Sequence, residues 1–171
     1  VYTTNDINIG GYMSERNTLI DTSTITIIDL AYLAGLIDGD GSFHISKRKG
    51  RGYKHTSQCY GMVLSIHCIE RSLIDWVVSK FGGITTCLNK KPPRRSLYGV
   101  EITGNRLTQL IELILPFIKL KKPHAENMLK MRKTYNGIGG RFEIPKEVSD
   151  LREECWAFSR EINSHKPIPK N

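Results

Sequence analysis

The chain has 171 residues and a mass of 19.4 kDa, with 39% hydrophobic and 25% charged residues, which suits one globular domain and excludes wholesale disorder. Its 25 Lys and Arg against 17 Asp and Glu leave a formal charge of +8 and a pI near 9.4, a balance suited to a polyanion. The apolar run Ile114 to Ile118 is broken by Pro116 and far too short for a bilayer, and no signal-peptide core precedes it, so neither membrane insertion nor export is expected.

Cys59, Cys68, Cys87 and Cys155 are far apart, with no C-x-x-C pair and no Cys/His spacing suited to zinc. They are expected to be small buried thiols in a reducing compartment. Residues 1–22 are polar and turn-rich, with Asn5, Asp6, Gly10 and Gly11, and read as an N-terminal extension. From about Thr24 to Asp38, Leu30, Leu33 and Ile37 recur at helical spacing, with Thr24 or Thr26 as cap. Beside them runs a stripe of small residues, Ala31, Ala34 and Gly35. Such a stripe either admits a second backbone closely or packs on the chain's own sheet. Gly39 and Gly41 stop the helix around Asp40, leaving that carboxylate at a helix C-terminus.

Ser42 to Arg48 alternates as a strand, with Phe43 and Ile45 on one face and Ser42, His44, Ser46 and Arg48 on the other. A basic loop follows, in which Lys47, Arg48, Lys49, Arg51 and Lys54 crowd together. The next strand points Tyr60, Met62, Leu64 and Ile66 one way and Gly61, Val63, Ser65 and His67 the other. Glu70 to Phe81 has helical period and ends at Gly82-Gly83. The pattern then recurs in type: a strand over Ile84 to Asn89, a basic hairpin loop with Lys90, Lys91, Arg94 and Arg95, and a strand over Leu97 to Thr103 with Tyr98, Val100 and Ile102 inward. Helices are expected from about Asn105 to Leu115, from Pro123 to about Tyr135, and over Lys146 to Asn163.

This order is α+β: one four-stranded antiparallel sheet backed by helices. The core domain spans 23–136, and 137–171 forms a C-terminal helical segment packed on it. The apolar strand phase buries one sheet face. The other carries His44, Ser46, Arg48, Ser65, His67 and Asn89, flanked by the two cationic loops, which makes it a surface for a nucleic-acid groove.

Leu33-Ala34-Gly35-Leu36-Ile37-Asp38-Gly39-Asp40-Gly41 closely resembles the signature of the LAGLIDADG homing endonucleases, and it lies where a helix ending in a carboxylate is already expected. The αββαββα order over residues 24–135 also resembles one unit of that fold, whose sheet forms a DNA-binding saddle. The resemblance implies that two motif helices cross at a subunit interface, here through Ala31, Ala34, Gly35 and Asp38, and for Asp38 it leaves interface hydrogen bonding and metal binding as equal alternatives. Since the chain holds one motif, it implies a homodimer. It also implies that Asp40, with the Gly39 carbonyl, binds Mg²⁺, a site that Mn²⁺ or Ca²⁺ can occupy.

Pro116-Phe117-Ile118-Lys119-Leu120-Lys121 resembles a family segment whose second Lys lies in the catalytic pocket, which makes Lys121 the candidate there. The stretch from Leu64 to Ser72 departs from the family: strand phase gives the slot of a water-organising Gln to Cys68, a one-residue shift gives it to His67, and Arg71 is the nearest basic residue. Taken together, the resemblance implies an intron-encoded, metal-dependent endonuclease that cuts both strands of a long, nearly palindromic DNA site and leaves short 3′ overhangs. Ser42, His44, Ser46, Arg48, Ser65, His67 and Asn89 would face base edges, and Lys49, Arg51, Lys54, Lys91, Arg94 and Arg95 would hold phosphates. The alternatives are an RNA-binding intron maturase and a DNA-binding regulator without cleavage. An intracellular location follows, either an organelle or an archaeal or bacterial cytoplasm.

Overall fold

A computed structural model of the chain describes residues 19–49, 58–88, 95–135 and 144–164. The elements run α1 (Ile27–Asp40), β1 (Gly41–Lys49), β2 (Gln58–Cys68), α2 (Arg71–Phe81), β3 (Ile84–Leu88), β4 (Leu97–Thr103), α3 (Gly104–Ile114), α4 (Lys122–Arg132) and α5 (Lys146–Asn163). The strands form one antiparallel sheet in the order β1-β2-β4-β3. Two hairpins therefore meet along β2 and β4 at the centre, and β1 and β3 are the edges. None of the described helices is long and apolar enough to cross a membrane.

α1 starts later than its apolar period suggests. Thr24 belongs to a short 3₁₀ turn, and the cap is Thr26, whose hydroxyl accepts from Asp29 N at 3.1 Å while the Asp29 carboxylate accepts from Thr26 N at 2.9 Å. This reciprocal box satisfies two orphan donors of the first turn. Bonding to Thr26 holds the Asp29 carboxyl below its usual range, and Lys80 Nζ of α2 donates to it at 3.3 Å.

At its other end α1 passes into β1 without a connecting loop. A Cβ on Gly41 would lie 2.8 Å from Ile37 Cα and 2.9 Å from Ile37 O, so the helix-to-strand turn has room only for glycine. Leu33, Ala34 and Ile37 of α1 are fully buried with Phe43, Leu64, Ile66, Val100 and Ile102 of the sheet and Leu110 and Ile114 of α3. The strand phase is thus the expected one, with the alternate residues on the open face. The chain is docked on this core from Ile20, which is buried and exchanges two hydrogen bonds with the Gln109 amide, so the expected extension to residue 22 ends earlier; residues 1–18 lie outside the described residues.

α5 covers the β1 edge. The outward-facing Ile45 N donates to Ser159 Oγ at 3.3 Å, and Asn163 Nδ2 donates to Phe43 O at 2.9 Å. Four residues of helix advance about 6 Å and two residues of strand about 6.6 Å, so this i, i+4 pair matches two successive edge groups of an antiparallel strand. The edge is thereby closed to other strands. Farther along, Glu153 of α5 takes Lys47 Nζ at 2.6 Å and the Tyr60 hydroxyl, with the Lys47 ammonium 4.6 Å from the Trp156 ring centre. Lys47 therefore serves the core side of the sheet and not the cationic loop where its sequence neighbours placed it. Of the cysteines only Cys155 is buried; Cys59 and Cys87 are exposed and Cys68 is half-buried, because β2 and β3 present those positions at strand ends and at an edge.

Candidate active site and nucleic-acid interface

The C-terminus of α1 and its turn into β1 gather carbonyls at the negative end of the helix dipole, and the segment before α4 supplies a cation to them. Lys121 Nζ donates to Ile37 O at 2.8 Å, Gly41 O at 2.6 Å and Gly39 O at 3.3 Å. Burial pushes the Lys121 ammonium pKa down, and Asp38 and Asp40 pull it back up. The backbone of the same segment is fixed by Asp38, whose carboxylate accepts from Lys119 N at 2.7 Å, Leu120 N at 3.1 Å and Lys121 N at 2.9 Å. Burial raises the Asp38 pKa, but these N–H groups outweigh it and hold the carboxyl below its usual range.

The two motif acids have therefore separated in role. Asp38, expected at a subunit interface, is an anchor within the chain. Asp40 is exposed and takes part in no hydrogen bond or ion pair among the described residues. A bare carboxylate next to the Gly39 carbonyl is a pair of hard oxygen donors, the chemistry that Mg²⁺ or Ca²⁺ prefers. No group of three His, Cys, Asp or Glu among the described residues could hold an ion unaided.

β2 passes beside this corner. The ladder ends where Gly41 pairs with Ile66; His67 follows Ile66 on β2, and Asp40, the last residue of α1, precedes Gly41. The His67 ring lies across Gly99, where a Cβ would come within 2.6 Å of both His67 Cδ2 and Thr86 Oγ1. Cys68 falls on the opposite phase, packs against the core and accepts from Glu70 N at 3.4 Å, so His67 is the residue of this pair on the open face. Arg71 lies on the exposed surface of α2, with Nε 3.4 Å from Asp75 Oδ2, a solvated i, i+4 pair worth at most about 1 kcal/mol.

On the open face Ser42 and Arg48 are exposed, His44 is half-buried, and Ser46 is half-buried with its hydroxyl donating to Gly61 O at 3.3 Å. Ser65 has the expected phase but is only 7% exposed, sunk in register between Ser42 and Glu101, so it has little surface to offer a base. Lys49 is exposed at the far end of β1, where it pairs with Gln58, and Arg95 is exposed at the opposite end of the sheet, just before β4, whose Tyr98 pairs with Cys68. Arg51, Lys54, Asn89, Lys91 and Arg94 lie outside the described residues.

The outer face of α1 differs from the expected stripe in one member. Ala34 is fully buried in the chain's own core and is not available to a partner. Ala31, Gly35 and Gly39 are exposed at i, i+4 and i+8, flanked by Ile28 and Tyr32, 76% and 55% exposed. A Cβ on Gly35 would meet nothing within 4 Å, so this face is open to a second helix. Strict four-residue spacing, rather than smallness alone, is the sequence signal that separates Gly39 from Ala34.

No known sequence-family model matches the chain, and no curated protein matches it. Solved structures do. An archaeal intron-encoded homing endonuclease, I-Vdi141I, solved in complex with DNA, is 18% identical and superimposes with a TM-score of 0.62 over 84% of this chain and 89% of its own. The chain has the LAGLIDADG homing-endonuclease fold. I-TnaI, another homing endonuclease, shares it at 18% identity and a TM-score of 0.59, over 80% of this chain and 89% of that one. The LAGLIDADG homing endonuclease I-GzeII, solved with its DNA target, matches at 15% identity and a TM-score of 0.59 over 83% of this chain but only 53% of its own. One LAGLIDADG unit thus corresponds to the whole of some relatives and to about half of others.

Proposed function

We propose that this protein is a site-specific, divalent-metal-dependent DNA endonuclease that acts as a homodimer. The observation that carries the reading is the end of α1: an exposed Asp40 carboxylate without a hydrogen bond among the described residues, beside the Gly39 carbonyl and near the Lys121 ammonium, at the margin of a one-sided polar sheet in a chain of charge +8. Two copies packed through Ala31, Gly35 and Gly39 would bring two Asp40 carboxylates to the twofold axis. The remaining ligands would then come from the second copy, from water and from DNA phosphate. This accords with a corner that offers two oxygen donors and no third acid. A bound Mg²⁺ would polarise a phosphate oxygen and lower the pKa of the attacking water.

The chain's own groups do the rest. Asp38 holds the 119–121 backbone, which sets Lys121 at the helix end, where its ammonium would face charge developing on the scissile phosphate. His67, which follows the Ile66 partner of Gly41, would orient water, and Arg71 would add charge from the first turn of α2. Ser42, His44, Ser46 and Arg48 would read base edges in the major groove, while Lys49, Arg95 and the cations of the two loops would hold phosphates and set register. A twofold protein calls for a nearly palindromic site, cut on both strands with short 3′ overhangs.

The test is incubation with Mg²⁺ and a plasmid carrying the host gene uninterrupted at its insertion site. Discrete linear product with matching 3′ overhangs supports the reading. An intact plasmid together with tight binding to structured intron RNA would replace it with a splicing cofactor.

A further inference from the structure

Glu101 is the one acidic residue that β4 places on the open face. It stands in register with Ser65 on one side and Ile84 on the other, in a row that continues to Ser42. Its strand neighbours Val100 and Ile102 are fully buried, so Glu101 points away from the core, half-buried at its base. Its same-face neighbours are small or low: Gly99 two residues back, with the His67 ring laid across it, and Ser65 sunk beside it. The carboxylate therefore rises from a shallow part of the sheet, and it makes no hydrogen bond or ion pair among the described residues.

An unpaired carboxylate is anomalous on a surface that receives a polyanion. It repels every phosphate and is tolerated only where it meets a donor. On the major-groove edge, cytosine offers an N4 amino group as its polar contact, whereas the adenine N6 donor stands beside the N7 acceptor, which opposes a second carboxylate oxygen. We propose that Glu101 is a specificity-determining residue that accepts a hydrogen bond from a cytosine N4 in each half-site. This rests on the reading that the open face takes DNA. The Glu101 row lies two residues along the strands from His67, toward the end of the sheet where Asp40 precedes Gly41, which puts the cytosine in the inner part of the half-site, toward the cleavage positions.

The experiment is selection from a randomised target pool by the full chain with Ca²⁺, comparing wild type, Glu101→Ala and Glu101→Gln, with thermal unfolding as the control for folding. Wild type should favour cytosine about tenfold or more at one inner position of each half-site. Glu101→Ala should flatten that position alone. Glu101→Gln should shift it to adenine, because a Gln amide matches adenine N6 and N7 together. Variants that bind all targets more tightly with an unchanged profile would overturn the proposal and leave Glu101 a merely repulsive charge. A wild type without sequence preference at any position would instead overturn the underlying reading of the face.

Discussion

Replacing Lys121 with Met keeps the methylene stem and deletes only the ammonium. The carbonyls of Ile37 and Gly39 at the end of α1 and of Gly41 at the start of β1 then lose the ammonium, while Ile37 O keeps the Gly41 N–H. A hydrogen bond to a charged group contributes about 1.5–3 kcal/mol net, and a cation at a helix C-terminus about 0.3–1 kcal/mol. Ile37 O keeps the Gly41 N–H and the exposed Gly39 O can take water, so the contributions do not simply triple, and a loss of about 2–3 kcal/mol is expected. In a chain of this size 1 kcal/mol moves the midpoint by about 2–4 °C, so Tm should fall by about 4–12 °C. Circular dichroism melts in EDTA, with no DNA present, read this effect apart from any catalytic one. A Tm within about 1 °C of wild type would refute the arrangement, because it would mean that the ammonium spends its time in solvent.

Asp38→Asn should cost about 1–3 kcal/mol at neutral pH, since an amide cannot accept from all three N–H groups of residues 119–121. Because the folded-state pKa of Asp38 lies below its ordinary 3.8, the stabilisation is complete above that value and is lost as pH falls through the folded pKa. Urea unfolding at pH 6 and pH 3 should show the gap between wild type and variant shrinking at the lower pH, and an equal gap at both would remove Asp38 from this role. A Cβ at Gly35 meets no atom within 4 Å, so Gly35→Leu should spare the fold but separate the proposed dimer, moving sedimentation from twice the chain mass to the single-chain mass. A variant that stays dimeric would place the twofold contact on another face.

Local periodicity carried most of the fold. The alternation of Phe43 and Ile45, of Met62, Leu64 and Ile66, and of Val100 and Ile102 already assigned the buried face of three strands, and each of these residues is buried. Helix ends shifted by up to three residues where a cap decided between near-equivalent candidates, as with Thr26 over Thr24. What the sequence hid were pairings across long separations. Asp38 looked like an interface acid because its partners are more than 80 residues away, and they are backbone groups, which carry no residue-type signal. Lys47 looked like a loop cation because Glu153 and Trp156 belong to a helix whose docking edge no local pattern reveals. Ala34 and Gly35 are equally small, and only the angular position set by the packed helix sends one to the core and the other outward. Glu101 escaped notice because a lone Glu in a strand is an ordinary surface residue until its row on the sheet is known.

If the exposed end of α1 performs metal-dependent strand cleavage, as proposed, Asp40→Asn removes the charge on which that chemistry depends. The substitution is isosteric, and Asp40 makes no hydrogen bond or ion pair among the described residues, so the fold should be kept. Mg²⁺-dependent cleavage and target binding are measured side by side on the same DNA. Abolished cleavage with binding within a few-fold of wild type is the predicted result. Cleavage at the wild-type rate would show that the reacting phosphates lie elsewhere and would contradict the account.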